Sequence, residues 1–307
     1  MHLAPGPDHD ALHAEARRTA ASHADRLGVS VVELREPAEA RAVADLIQDA
    51  YRPTLAGARP LEPDTLLALA HSGCPVLVAR GTAGGEAVAA AAGWLGRDPG
   101  TGEGSLHTHV LAVRAGDQGR GLGRTLAWAL RAWAVEHGIA TLRWTIDPLV
   151  RRDAVLSLAV LGAGTAGYEV DLYGPTHGPG QPALPTDRLV LVWDVGAPRV
   201  RSAAAGRAAT PDVAALQAAG AEVALDIGQD GEPLPRTTRA PRRLVRIPRD
   251  LAATRAEDPQ LALTWIHAVR ATLGEGLGAG ARVSGLTRDG WYVLAERGGI
   301  RELSPPR

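Results

Sequence analysis

The sequence predicts an α/β protein with a smaller α+β extension at its C-terminal end. Three observations carry that reading. Strand-like and helix-like periods alternate from Val29 to Val195. A strand-like run ending at Val113 passes through a glycine-rich turn directly into a helical pattern. Beyond residue 241 a strand, a helix and a hairpin signal follow one another.

Taken in order, Ala11 to Leu27 reads as a weakly amphipathic helix, so residues 1–28 form an N-terminal arm. Val29 to Arg35 alternates as a first strand. Pro37 opens a helix through Tyr51, because the fixed φ of proline suits a first helical turn. Pro63 to His71 is a second, short helix closed at Gly73. Pro75 to Arg80 and Ala87 to Leu95 are strands joined at Gly84-Gly85, a hairpin signal. Ser105 to Val113 is the next strand. The helix after it, Gly121 to His137, has Leu122, Leu126, Leu130, Trp133 and His137 on one face and Gly138 as its cap. Thr141 to Asp147 is a strand, and Arg151 to Leu161 a helix stopped by Gly162. Tyr168 to Tyr173 and Leu189 to Val195 close a domain of residues 29–196. Residues 197–240 are rich in Ala, Pro, Arg and Gly and read partly as linker, with a strand around Val223 to Ile227. The extension, 241–307, holds a strand at Leu244 to Ile247, a helix at Pro259 to Leu277, and a hairpin of Arg282–Leu286 and Trp291–Glu296 around Asp289-Gly290. So short a tail buries little core alone. It is expected to pack on the first domain or on a second copy of the chain, and the unpaired hairpin suggests a homodimer.

Composition narrows the function. Of 307 residues 45% are hydrophobic and 22% charged, which is incompatible with wholesale disorder. The net charge of −1 lacks the basic excess of a general nucleic-acid or membrane-surface binder, so neither partner is expected. No apolar run reaches the length of a membrane span, and Met1 to Asp10 lacks the basic start and apolar core of a signal peptide. Cys74 stands alone, so an internal disulfide is impossible and a reducing cytoplasm is the expected compartment.

The stretch from Val113 to Arg124, Val-Arg-Ala-Gly-Asp-Gln-Gly-Arg-Gly-Leu-Gly-Arg, carries the chemistry. A strand that turns through glycines into a helix presents main-chain N–H groups that the first helical turn leaves without partners. The peptide dipoles add partial positive charge there. Gly119, Gly121 and Gly123 remove the Cβ atoms that would hold a bulky diphosphate away, and Arg120 and Arg124 bring charge beside it. The turn therefore reads as a phosphate cradle. A dinucleotide fingerprint would need a third glycine where Leu126 stands, although Asp147 lies where that fold places its acidic residue. A Walker A loop would need a lysine, and the chain has none.

What fits is Gln/Arg-x-x-Gly-x-Gly/Ala with a valine five residues before it: Gln118, Gly121, Gly123 and Val113. On these residues the chain resembles the GNAT acetyltransferases over roughly Val29 to Val195. The resemblance implies a mixed, mostly antiparallel central sheet with helices on both faces. It implies coenzyme A as co-substrate, held at Gln118, Gly119, Arg120, Gly121, Leu122, Gly123 and Arg124. The thioester carbonyl would be polarised by a main-chain N–H near Leu111, with Val113 pairing with the pantetheine arm. No metal is expected.

Acetyl transfer to an amine needs a base, since amines of this kind titrate near 10. His107 and His109 lie two apart on one strand and so share a face, and histidine is the usual base at neutral pH. The run His107 to Val113 is also similar to the corresponding strand of the arylalkylamine acetyltransferases, where a His-x-His pair helps carry the amine proton. Asp147 and Glu103 are alternative bases. Where many GNAT proteins have a proton-donating tyrosine, this chain has Leu158, and Tyr168 and Tyr173 are the nearest substitutes. The leading expectation is an N-acetyltransferase acting on a small-molecule amine by direct attack, with His109, His107 and Tyr173 as catalytic candidates. The alternative is a coenzyme A-binding module of the same fold without catalysis. Arg236, Arg239, Arg242, Arg243 and Arg246 form a basic run that reads as solvated linker or as a reach toward the ribose phosphate. His2, His9 and His13 lack the spaced acidic or thiol partners of a metal site.

Overall fold

The computed structural model describes residues 7–51, 60–81, 85–98, 100–175 and 183–296. The chain begins with α1 (Pro7–Leu27), β1 (Val29–Glu33), α2 (Pro37–Tyr51) and α3 (Pro63–His71). It continues with β2 (Val76–Gly81), β3 (Ala87–Arg97), β4 (Gly104–Val113), α4 (Leu122–Glu136) and β5 (Thr141–Ile146). Then come α5 (Arg151–Ala154), prolonged by a π-turn over Val155–Val160, β6 (Gly164–Glu169) and β7 (Arg188–Asp194). Seven strands order as β1-β2-β3-β4-β5-β7-β6, mostly antiparallel, as expected from the resemblance. By contact the chain divides into two compact units, Met1–Trp144 with Trp193–Ala205, and Thr145–Val192 with Gly206–Arg307. The chain passes between the units after Trp144, Val192 and Ala205.

In the first unit, Ala89 to Ala92 of β3 are wholly buried. Alanine is a poor strand former, and here tertiary context overrides propensity: helices press on the sheet, and small side chains let them approach. Leu34, Val43, Ile47, Leu66, Val78 and Val110 fill the core beside them. α4 is buried nearly all round because α1 covers the face that would otherwise meet solvent. The arm is therefore a docked helix. Its Glu15 makes two hydrogen bonds, of 3.0 and 2.7 Å, with the guanidinium of Arg131 on α4. Arg131 is 0% exposed and also donates to the Val195 carbonyl at 2.9 Å.

In the second unit, β6 and β7 pair antiparallel. The strand expected at Tyr168 to Tyr173 lies earlier, over Gly164–Glu169, because Asp171 adopts a left-handed φ of 51° that ends the extended run. The expected linker instead holds α7 (Val213–Ala218), β8 (Glu222–Ile227) and β9 (Pro233–Pro235), while α6 (Pro198–Ala204) belongs to the first unit. Further on are β10 (Arg242–Arg246), α8 (Leu251–Glu257), α9 (Pro259–Val269), a π-turn over Arg270–Gly274, α10 (Glu275–Gly278), β11 (Arg282–Leu286) and β12 (Trp291–Ala295). A second sheet orders as β11-β12-β10-β8-β9. The hairpin expected to lack a partner thus pairs with β10 of its own unit, over Leu244, Trp291 and Val293 of a small core. Asp187, 3% exposed, receives Arg270 through bonds of 2.8 and 2.7 Å and the Tyr168 hydroxyl at 2.8 Å, so the extension holds the β6–β7 pair. Among the described residues no helix is long and apolar enough to cross a membrane. Gly84 of the expected hairpin turn and His2 lie outside the described residues.

Candidate functional site

The glycine turn leaves its amides without main-chain partners among the described residues. β4 ends at Val113, a single 3-10 turn spans Ala115–Asp117, and α4 starts at Leu122. Gly119 has φ 79° and Gly121, the N-cap of α4, has φ 99°. An L side chain is strained at either, so glycine is what lets the chain reverse here. The first amide of the helix to find a carbonyl is that of Thr125, which donates to Gly121 at 3.0 Å. Among the described residues no main-chain bond is made by the amides of 119 to 124, which include orphan donors of the helix start.

Side chains brace this turn from beneath. Asp117 is nearly buried and joins Arg114 at 2.7 Å and Arg120 at 2.5 Å. Those bonds, that of Arg114 first, hold its carboxyl below the ordinary range. Arg120, expected to lend charge to a ligand, is thus engaged by Asp117 and shapes the loop. Gln118 donates from its amide to the Val113 carbonyl at 3.3 Å, tying the turn to the strand end. Arg124 is exposed, with Nη2 3.7 Å from where a Cβ on Gly121 would lie.

Upstream, His107 and His109 share one face of β4, as the two-residue spacing implies, with ring centroids 6.2 Å apart. Trp94 of β3 lies against both, at 5.1 and 4.6 Å. The β3–β4 register shifts here: Ala92 pairs with Val110 and Gly93 with Thr108, leaving His109 as the extra residue of a bulge. A Cβ on Gly93 would stand 2.4 Å from the His107 carbonyl, so glycine permits the close approach. Bulges of this kind re-aim side chains. Burial holds both imidazoles below their ordinary value, and the neighbouring His109 and Arg143 push His107 down further. The backbone of Pro60 lies close to the His109 ring and offsets part of that depression. A neutral imidazole offers one ring nitrogen as an acceptor.

The parallel ladder from β4 to β5 holds at Leu106↔Leu142 and His107↔Arg143, and Arg143 is ion-paired with Asp98. Beyond it, toward Val113, β4 has no further partner on that side among the described residues. The Leu111 N–H donates there to the hydroxyl of Tyr51, the last residue of α2, at 3.3 Å. The residues expected from sequence to bind, Leu111, Val113 and Gln118 to Arg124, lie on the end of β4 and in the turn that follows it.

Other candidates lie in the second unit. Tyr173 is on the turn after β6, 57% exposed, with its hydroxyl 3.3 Å from Thr145 Oγ1 and the Arg188 guanidinium over its ring at 5.2 Å. Burial raises the Asp147 carboxyl above its usual value, and its Oδ1 accepts from the Leu149 N–H at 2.9 Å. The basic run is no linker: Arg242, Arg243 and Arg246 belong to β10, and Arg236 and Arg246 reach Asp226. Trp94, Tyr51, Pro60 and the bulge were not foreseen. Trp94 follows from the hairpin register once the bulge is known, whereas no spacing links Tyr51 or Pro60 to the strand.

A model of the acetyltransferase (GNAT) family matches residues 41–155. No curated protein matches the sequence. Similar solved structures include a ribosomal-protein-alanine N-acetyltransferase from Brucella melitensis, 22% identical, covering 54% of this chain and 99% of its own, with a TM-score of 0.44. Another is a GNAT superfamily phosphinothricin acetyltransferase from Sinorhizobium meliloti in complex with acetyl-CoA, 16% identical, covering 54% and 88%, with a TM-score of 0.45. A third is a GNAT-family acetyltransferase from Streptococcus pneumoniae, 12% identical over 54% and 99%, with a TM-score of 0.44.

Proposed function

We propose, from the match of residues 41–155 to a model of the GNAT acetyltransferase family, that the chain transfers acetyl from acetyl-CoA to an amine, both held together for direct attack. The observation that carries this reading is the run of amides without main-chain partners at 119 to 124, opening a helix at the end of the strand that bears the histidine pair. The residues fit a diphosphate. Left-handed glycines leave the amides bare, and a side chain on Gly121 would be both strained and in the way.

Each group has a task in this reading. The turn and the start of α4 hold the diphosphate. The open edge of β4 from Leu111 to Val113 receives the amide-rich arm, since unpaired strand groups bond to another extended chain. Coenzyme A supplies the activated thioester. Leu111 N–H donates to its carbonyl oxygen, where negative charge develops. His109, kept neutral by burial, takes the amine proton, and His107 and Trp94 confine its ring. A cytoplasmic location and a small-molecule acceptor complete the proposal.

Leu158, standing where a proton donor is common, favours the second reading of a coenzyme-binding module without turnover. Thermal unfolding with acetyl-CoA, coenzyme A or NAD, followed by thiol release in the presence of a panel of primary amines, separates the cases. A ligand at a hundredfold over its Kd stabilises by about 2.7 kcal/mol. Stabilisation by coenzyme A with amine-dependent thiol release is the expected result. Stabilisation by NAD alone would overturn the assignment, and binding without release would select the module.

A further inference from the structure

The sequence offers the basic run of residues 236–246 as a reach toward the ribose phosphate, but Arg236 and Arg246 of that run are engaged by Asp226. A different pair of cations stands at the glycine turn itself. Arg124, in the first turn of α4, is exposed and makes no hydrogen bond or ion pair among the described residues. Its Nη2 lies 3.7 Å from where a Cβ on Gly121 would stand, and Leu27 Cδ1 of α1 lies 3.9 Å from the same point. The last turn of α1 is thus set against the turn that opens α4. His23, one helical turn earlier, stacks on Trp128 of α4 at 6.2 Å, and Thr125 Oγ1 reaches the His23 carbonyl at 3.5 Å.

Arg26 is three residues beyond His23 and shares its side of the helix. Its Nε donates to the Ser22 carbonyl at 3.0 Å, which fixes the guanidinium and leaves both terminal nitrogens for another acceptor. After burial, Arg124 and then Arg26 depress the His23 imidazole, so both cations face one spot. Neither is paired with a carboxylate among the described residues. Like charges brought together without a counter-ion repel, and an anion of more than one charge relieves both. A phosphate monoester has that charge and three acceptor oxygens. Coenzyme A carries one such group, on its ribose, apart from its diphosphate.

We infer that the end of α1 completes the coenzyme site, with Arg26 and Arg124 holding the ribose 3′-phosphate of coenzyme A. The inference rests on the coenzyme reading above. It gives the arm, which precedes the stretch matched by the family model, a part in recognition. Both arginines are exposed, so the phosphate keeps much of its water, and each contact contributes about tenfold in affinity.

The test is calorimetric titration of the full chain with coenzyme A and with 3′-dephospho-coenzyme A, which keeps the diphosphate and lacks only the monoester. The unaltered protein should prefer coenzyme A by about tenfold or more. Arg26→Gln should weaken coenzyme A about tenfold and leave the dephospho form within about twofold, while Arg26→Lys, which keeps the charge, retains most of the preference. Equal affinity of the unaltered protein for the two ligands overturns the inference. So does an Arg26→Gln that weakens both alike, since the arm would then act through the fold. A preference that survives in Arg26→Gln and is lost only in Arg124→Gln overturns the part given to α1. Failure of both ligands to bind the unaltered protein is a different result: it removes the coenzyme reading, and this inference with it.

Discussion

The cradle and the histidine strand are adjacent stretches of one chain, residues 104–124, yet they are made in opposite ways. The proposed cradle is main chain: the donors offered are amides, its shape comes from two left-handed glycines, and its charged side chains (Arg114, Arg120, Asp117) serve to brace it. The strand is side chain: its face is two imidazoles and an indole, positioned by a bulge. Amides do not titrate in the physiological range, so the first should bind alike at any such pH. The second depends on protonation. The lesson is that binding and turnover should separate cleanly under substitution and under pH.

The harshest way to probe the contrast is Gly121→Glu. It forces a strained φ and sets a carboxylate where an anion should lie. Coenzyme-induced thermal stabilisation should vanish, and retained stabilisation would mean that the diphosphate binds elsewhere. Next, His109→Ala should lower amine-dependent thiol release by roughly 100- to 10,000-fold while leaving the Kd for acetyl-CoA within about twofold. Equal losses in both would merge the two halves that the structure keeps apart. Because burial depresses His109, the neutral base persists below the ordinary imidazole range, so the acid limb of the rate should lie under pH 6.5. That limb should disappear in His109→Ala.

Smaller effects concern the frame. Glu15→Ala would strand the buried guanidinium of Arg131 and should cost about 3 kcal/mol in urea unfolding, with coenzyme affinity little changed at temperatures where the protein stays folded. Least of all, His23 on α1 is pushed down to about 4 by burial and by Arg124 and Arg26. The unfolded chain, at about 6.5, then binds more protons between those values. Stability is therefore present above pH 6.5 and lost as the pH falls toward 4. His23→Gln should flatten that loss of melting temperature, and an unaltered slope would assign it to His107 and His109.

How much of this was legible in the sequence follows the same contrast. Glycine positions are a direct record of backbone conformation, so the turn could be located to the residue, with Gly119 and Gly121 left-handed. A His-x-His spacing on a strand declares a shared face, and the pair is found there. What surrounds it was not legible, because Trp94, Pro60 and Tyr51 arrive through tertiary packing and a register shift that leaves no periodic trace. The arm was read as weakly amphipathic since its most telling contact is polar, the Glu15–Arg131 pair. The segment 197–240 reads partly as linker because small alanine-rich helices and a strand such as Pro233–Pro235 look compositionally like coil.

The Arg131 contact also bears on how this fold can be cut. The stretch that the family model recognises begins at residue 41, yet a charge on its central helix finds its counterion at Glu15 and a further acceptor at Val195. A fragment trimmed to the recognised boundaries would carry a naked cation inside its own interior. Grafts, truncations and fusions made from this protein should therefore start before α1 and run past Val195, or replace Arg131 by an apolar residue of similar bulk.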